Sequence, residues 1–179
     1  MRSTRFSSCL PLLALACLLQ GGRAQAEAPP PELAVGFTTF HLVPVTGAAQ
    51  NLTGITLAGR YNVDASWSWE ASLGRHTGSE DSSVDLRQVS ALAGLRYTWT
   101  FSGTWQGFVH VLGGWNELRA STPDGRADQS SDTAFGAGAG VDFALTPHLA
   151  LRAQEDYLLT HYSGRTQRNT SLFLGVAFH

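Results

Sequence analysis

The chain has 179 residues, with 12 arginines, no lysine and 14 acidic residues, so one domain is expected and the acidic balance argues against nucleic acid as a partner. Its two cysteines, Cys9 and Cys17, both precede residue 27, which leaves the remainder without disulfide or thiol chemistry. The six histidines show neither His-x-x-His nor His-Glu-x-x-His spacing, so neither a metal nor any other cofactor is expected.

Met1, Arg2 and Arg5 make a short basic start, and Phe6 to Leu19 form an apolar run ahead of the small residues Ala24-Gln25-Ala26. That layout predicts a signal peptide over residues 1–26, because the apolar run falls short of the roughly 20 residues a lasting transmembrane helix needs. Residues 27–33 contain Pro29-Pro30-Pro31 and read as a stiff extended linker, with the domain proper at 34–179. Without the three leader arginines, nine remain against fourteen acids, a formal charge of −5.

From there the chain breaks into eight strand candidates, at 34–42, 52–62, 65–75, 88–99, 104–115, 133–145, 149–161 and 169–178. The third sets Trp67, Trp69, Ala71 and Leu73 against Ser66, Ser68, Glu70 and Ser72. In the fourth, Val89, Ala91, Ala93, Leu95, Tyr97 and Trp99 alternate with polar residues, Leu92 being the exception. The sixth alternates Phe135, Ala137, Ala139, Val141 and Phe143 with Gly136, Gly138, Gly140 and Asp142, and the last sets Leu172, Leu174, Val176 and Phe178 on one face. A repeat of two scatters these residues around a helix but gathers them on one side of a strand. The links 43–51, 76–87, 116–132 and 162–168 are long or polar, whereas Val63-Asp64, Phe101-Ser102-Gly103 and Thr146-Pro147-His148 are short.

Eight alternating strands with long and short links in turn predict an all-β, up-and-down, eight-stranded antiparallel transmembrane barrel in a bacterial outer membrane, with both chain ends on the inner side. The other architecture with the same alternation is a soluble barrel or sandwich with the apolar face turned inward. Against it, Tyr61, Trp67, Trp99, Trp105 and Phe178 all fall where strands meet short turns or the C-terminus, as an interfacial girdle requires, with Phe40, Trp115 and Tyr162 at the other rim.

An apolar face toward lipid turns the polar face inward, and that face collects Arg60, Glu70, Arg96, His110, Asp142, Arg152, Gln154 and Asp156. Such charges must pair, with Glu70 to Arg96 and Asp142 to Arg152 expected, and the glycines of the sixth strand leave room for Arg152, Gln154 and Asp156. The result is a closed interior, the alternative being a narrow gated channel. Glu155 falls in the outward register near mid-strand, where a bulge or register change, a protonated carboxyl or a protein partner would rescue it, and a bulge or register change is the expectation. His161 and Ser163 allow a second alternative, hydrolysis of lipid acyl chains by a histidine-activated serine, with Glu155 or Asp156 as the orienting acid.

The run from Phe135 to Phe143, then Leu145-Thr146-Pro147-His148-Leu149-Ala150-Leu151-Arg152, then Asp156 to Thr160, resembles the last three strands of small OmpA-like or OmpX-like outer-membrane proteins. The resemblance implies a barrel inserted by the outer-membrane assembly machinery through the strand carrying Leu172, Leu174, Val176 and Phe178, although His179 stands where that family ends on an aromatic residue. The resemblance supports location far more than activity; a monomer surrounded by outer-membrane lipid is expected, and because the barrel holds the ends of its links, a non-enzymatic structural or surface-interaction role is expected of the outer ones, notably 76–87 and 116–132.

Overall fold

The computed structural model describes residues 29–43, 49–80, 84–122, 127–162 and 165–179. The expected signal peptide at 1–26 and the tips of the four longer links lie outside the described residues. Eight strands, β1 (Glu32–Leu42), β2 (Gln50–Asn62), β3 (Trp67–Glu80), β4 (Val84–Ser102), β5 (Trp105–Ser121), β6 (Ala127–Thr146), β7 (Leu149–Tyr162) and β8 (Arg165–Phe178), form one closed barrel in chain order. Every neighbouring pair is antiparallel, and β8 closes on β1 with Leu33 opposite Phe178.

The closure sets the geometry. A row of partners that starts at Trp67 runs through Tyr97, Val109, Ala139, Glu155, Leu172, Thr39 and Thr53 and returns to β3 at Thr77, a stagger of ten residues. With eight strands this stagger fixes a tilt of about 40° and a backbone radius of about 8 Å, so each residue climbs roughly 2.5 Å along the barrel axis. On that scale Tyr61, Trp67, Trp99, Trp105 and Phe178 lie within about 6 Å of a single level, although they come from five different strands. Trp67 packs on Tyr97 with ring centroids 5.0 Å apart, and Trp105 on Phe143 at 4.8 Å.

The faces follow the alternation. Leu57, Leu73, Leu95, Val109, Val141, Leu151 and Leu174 are all exposed on the outer wall, together with Phe37, Ile55, Val111 and Phe135. Leu92, the exception in the fourth segment, points inward and is buried. Two further aromatics break the simple division. Phe40, expected at the outer rim, is only 1% exposed inside the barrel, and Phe108 is fully buried there, because both have inward parity in their strands.

Three expectations about element extent change. β1 begins at Glu32, so this residue belongs to the wall and not to the linker, held by the ion pairs described below. The links 76–87 and 116–132 are mostly strand: β3 and β4 pair out to Glu80 and Val84, and β5 and β6 out to Ser121 and Ala127. Polar sequence does not end these strands, since a paired ribbon satisfies its own backbone hydrogen bonds beyond the membrane. The ladder on both sides of Glu155 is regular, opposite Ala139 and Leu172, and the register shifts lie at Thr100/Ser102 and Ala144/Thr146 beside short turns. The bulge expected at Glu155 is absent and the carboxylate faces outward.

At the short-turn end, Asp64 Oδ1 accepts from the backbone N–H groups of Ser66 and Trp67, both at 2.7 Å, and these donors hold its carboxyl below the ordinary value of 3.8. Asn62 Nδ2 donates to the carbonyls of Pro29 at 3.2 Å and Pro30 at 2.8 Å, anchoring the proline run against the barrel mouth.

Candidate functional site

The inner half of the barrel holds one connected ionic layer. Arg152 Nε donates to Asp142 Oδ1 at 2.7 Å and its Nη2 to Asp142 Oδ2 at 2.7 Å, while the same Nη2 reaches Glu32 Oε1 at 2.6 Å. Arg60 Nη2 lies 2.7 Å from Glu32 Oε2. Arg96 donates to Asp142 Oδ2 at 2.8 Å and meets Glu70 Oε2 at 3.4 Å. Its guanidinium also lies over the Phe108 ring, 3.4 Å from the centroid, an attraction that strengthens once water is removed. His110 closes the layer, with Nε2 2.7 Å from Asp156 Oδ1 and Nδ1 3.2 Å from Glu70 Oε1, the second contact not aligned as a hydrogen bond. Gln154 Nε2 and Ser171 Oγ donate to Asp156 at 3.0 Å and 3.5 Å.

All eight inward polar residues read from the alternation are thus in this layer, and both expected pairs occur, Asp142 with Arg152 as a two-point contact. Two further members are not polar residues of the strand alternation. Glu32 sits behind three prolines, where local composition reads as linker, and Phe108 lies in a strand whose other aromatics face outward. The glycines opposite Phe108 are the clue that was available. A Cβ on Gly140 would lie 2.3 Å from Phe108 Cζ, and one on Gly138 would lie 2.0 Å from Asp156 Oδ1 and 2.4 Å from His110 Nε2. Of the three side chains for which the sequence leaves this room, Asp156 uses it, in its contact with His110 beside Gly138, while Gly140 accommodates the Phe108 ring and Gly136 accommodates Leu158 in place of Arg152 and Gln154.

The outer half of the interior is not polar in bulk. Phe40, Leu42, Leu52, Leu86, Leu92, Leu112, Ala134 and Leu158 form an apolar cluster across the bore. Polar groups thread it in short chains: His76 Nδ1 bonds Gln88 Oε1, Gln88 Nε2 donates to Asn116 Oδ1 at 2.7 Å, and Asn169 Nδ2 donates to Thr160 Oγ1 at 2.8 Å. Between the ionic layer and this cap a cavity of about 40 Å³ remains, bordered by Thr38, Thr56, Ser72, Ser90 and Asp156. That space suits a few waters and no continuous file of them.

Sequence comparison agrees with this architecture over nearly the whole length: residues 10–179 match the outer membrane protein beta-barrel domain. The chain belongs to that family. This barrel therefore resides in the bacterial outer membrane, with its apolar face in lipid. No curated relative matches it in sequence. Among solved structures it is similar to Neisserial surface protein A, with a TM-score of 0.74 at 16% identity, covering 86% of this chain and 99% of that one. It is also similar to the attachment invasion locus protein Ail of Yersinia pestis, with a TM-score of 0.61 at 17% identity over 83% of this chain and 96% of that one. A third likeness is to OprG of Pseudomonas aeruginosa, with a TM-score of 0.52 at 13% identity over 82% and 94%. At these identities the likeness concerns the fold.

Of the remaining candidates, Ser163 and the side chain of His161 lie outside the described residues, although the backbone of His161 continues β7 opposite Thr166. Among the described residues no group of three His, Cys, Asp or Glu side chains could hold a metal ion.

Proposed function

We propose that this barrel is a non-enzymatic outer-membrane protein, closed to ions, whose structural or surface-interaction role is carried by the paired ribbons β3–β4 and β5–β6 beyond the membrane. One observation carries this reading: the bore is filled by the ionic layer and the apolar cap around a cavity of only about 40 Å³. A filled bore leaves the outer ribbons as the part of the protein free to make contacts, and rigid scaffolds commonly display recognition segments in this way. The fold likeness to Ail, an attachment invasion locus protein, supports the same direction. Export would be directed by residues 1–26, insertion by the assembly machinery acting on β8, and the girdle of Tyr61, Trp67, Trp99, Trp105 and Phe178 would seat the barrel at the inner interface.

Refolded protein in planar bilayers should give no steady conductance, and incubation with outer-membrane lipid should release no fatty acid from either the natural chain or an H161A/S163A variant. Protease added to intact cells should cut near 81–83 or 123–126 and spare Val63-Asp64. Reproducible monomer conductance would favour the gated channel, and acyl release lost in the double variant would favour hydrolysis.

A further inference from the structure

Near the long-link end of the outer wall, Arg75, Arg87 and Arg119 line a shallow depression of about 330 Å³ together with Val89, Trp115 and Glu117. The register crowds these charges. Arg87 stands directly opposite Arg119 between β4 and β5, and Arg75 is opposite Val89, which is itself opposite Glu117. Like charges directly across a sheet repel. Neutralisation within the chain is partial: Arg119 Nε meets Glu117 Oε1 at 2.5 Å, and neither Arg75 nor Arg87 has an ion-pair partner among the described residues. Asp85 shares the outward face two residues from Arg87, opposite Ser121, so three guanidiniums face two carboxylates.

Height decides what meets them. Arg75 lies eight residues above Trp67 on β3, and Arg87 is opposite Thr77, so the cluster spans roughly 20 to 30 Å above the inner girdle, where an apolar band of about 25 Å ends. Trp115 sits at the lower edge of that span, the usual place of an interfacial indole. The adjacent wall on β1 and β2 differs at this height: Thr39, Thr53, His41 and Asn51 face out, with His41 Nδ1 and Asn51 Oδ1 paired at 2.7 Å, while across the barrel β8 presents Arg168 opposite Leu159.

We infer that this depression binds the phosphate groups of a phosphorylated outer-leaflet glycolipid, with Arg75, Arg87 and Arg119 as the phosphate ligands and Trp115 against the proximal acyl chain. Guanidinium forks match phosphate oxygens in pairs, and an anion between Arg87 and Arg119 turns their repulsion into attraction. Glu117 limits the affinity by competing for Arg119.

The test uses the refolded full-length chain in neutral detergent with lipid A carrying both phosphates, with the same lipid dephosphorylated, and with inorganic phosphate alone, bound lipid being counted by native mass spectrometry. Lipid A should bind at least about tenfold more tightly than its dephosphorylated form, and an R75Q/R87Q/R119Q variant should lose that preference while an R168Q variant keeps it. An E117Q variant should bind lipid A more tightly than the natural chain, a gain that no folding defect produces. Equal binding of the two lipids, an unchanged preference in the triple variant, or weaker binding by E117Q would overturn the assignment. Inorganic phosphate that displaces lipid A at equal concentration would overturn the lipid as the source of the phosphate.

Discussion

Replacing Glu32 by glutamine keeps the shape of the side chain and removes one charge from the ionic layer. The structure indicates where the cost falls. Arg152 retains its two-point contact with Asp142, both distances being 2.7 Å, so it stays paired. Arg60 does not: its remaining polar contact is Thr98 Oγ1 at 3.5 Å, and its Nε has no partner. Removing one member of a buried ion pair costs about 3 to 5 kcal/mol, and the lower end, about 3 kcal/mol, applies here because the amide oxygen can still accept from one guanidinium. Urea unfolding of the refolded barrel in vesicles, followed by tryptophan fluorescence, should show this loss for E32Q with an unchanged dependence on denaturant. The double variant E32Q/R60M removes the stranded charge and should recover most of the loss. A loss below about 1 kcal/mol in E32Q, or double-variant losses that simply add, would refute the idea that Arg60 depends on Glu32.

Glu155 predicts the opposite sign. It faces outward about 12 Å above the inner girdle, near mid-membrane, so E155L should stabilise the vesicle-embedded barrel by about 1 to 2 kcal/mol in the same unfolding assay, and a destabilised variant would indicate a partner for the carboxylate. G138A should cost about 1 to 3 kcal/mol by driving Asp156 from His110, whereas G59A, whose added Cβ would meet nothing within 4 Å, should stay within about 0.5 kcal/mol of the natural chain when heat-modified gel mobility is followed with temperature. At Asp64 the folded carboxyl titrates below its ordinary value of 3.8, so its contribution is complete above that pH and is lost as pH falls through the lowered value. Unfolding midpoints of the natural chain and D64N should therefore differ at neutral pH and converge in strong acid, and a constant difference across that range would contradict the role of the Ser66 and Trp67 N–H donors.

The repeat of two was written locally, residue by residue, and so were its consequences: eight strands, an apolar outer face from Leu57 to Leu174, an inward polar set from Arg60 to Asp156, and chain-order pairing through short turns. Parity along a strand needs no knowledge of the partner strand. What the closed barrel alone decided is everything set by the ten-residue stagger, because the stagger chooses which residues from distant strands meet across the bore. It carries Glu32 from behind three prolines to Arg60 and Arg152, and it slides Phe108 under Arg96 beside Gly140. Parity turns Phe40 inward, and the same closure brings it together with leucines from other strands to cap the outer half. Glu155 shows the limit from the other side: its cost in lipid suggested a bulge, but the continuous ladder with Ala139 and Leu172 outweighs one exposed carboxylate, since a bulge would give up backbone pairing that nothing in the membrane replaces.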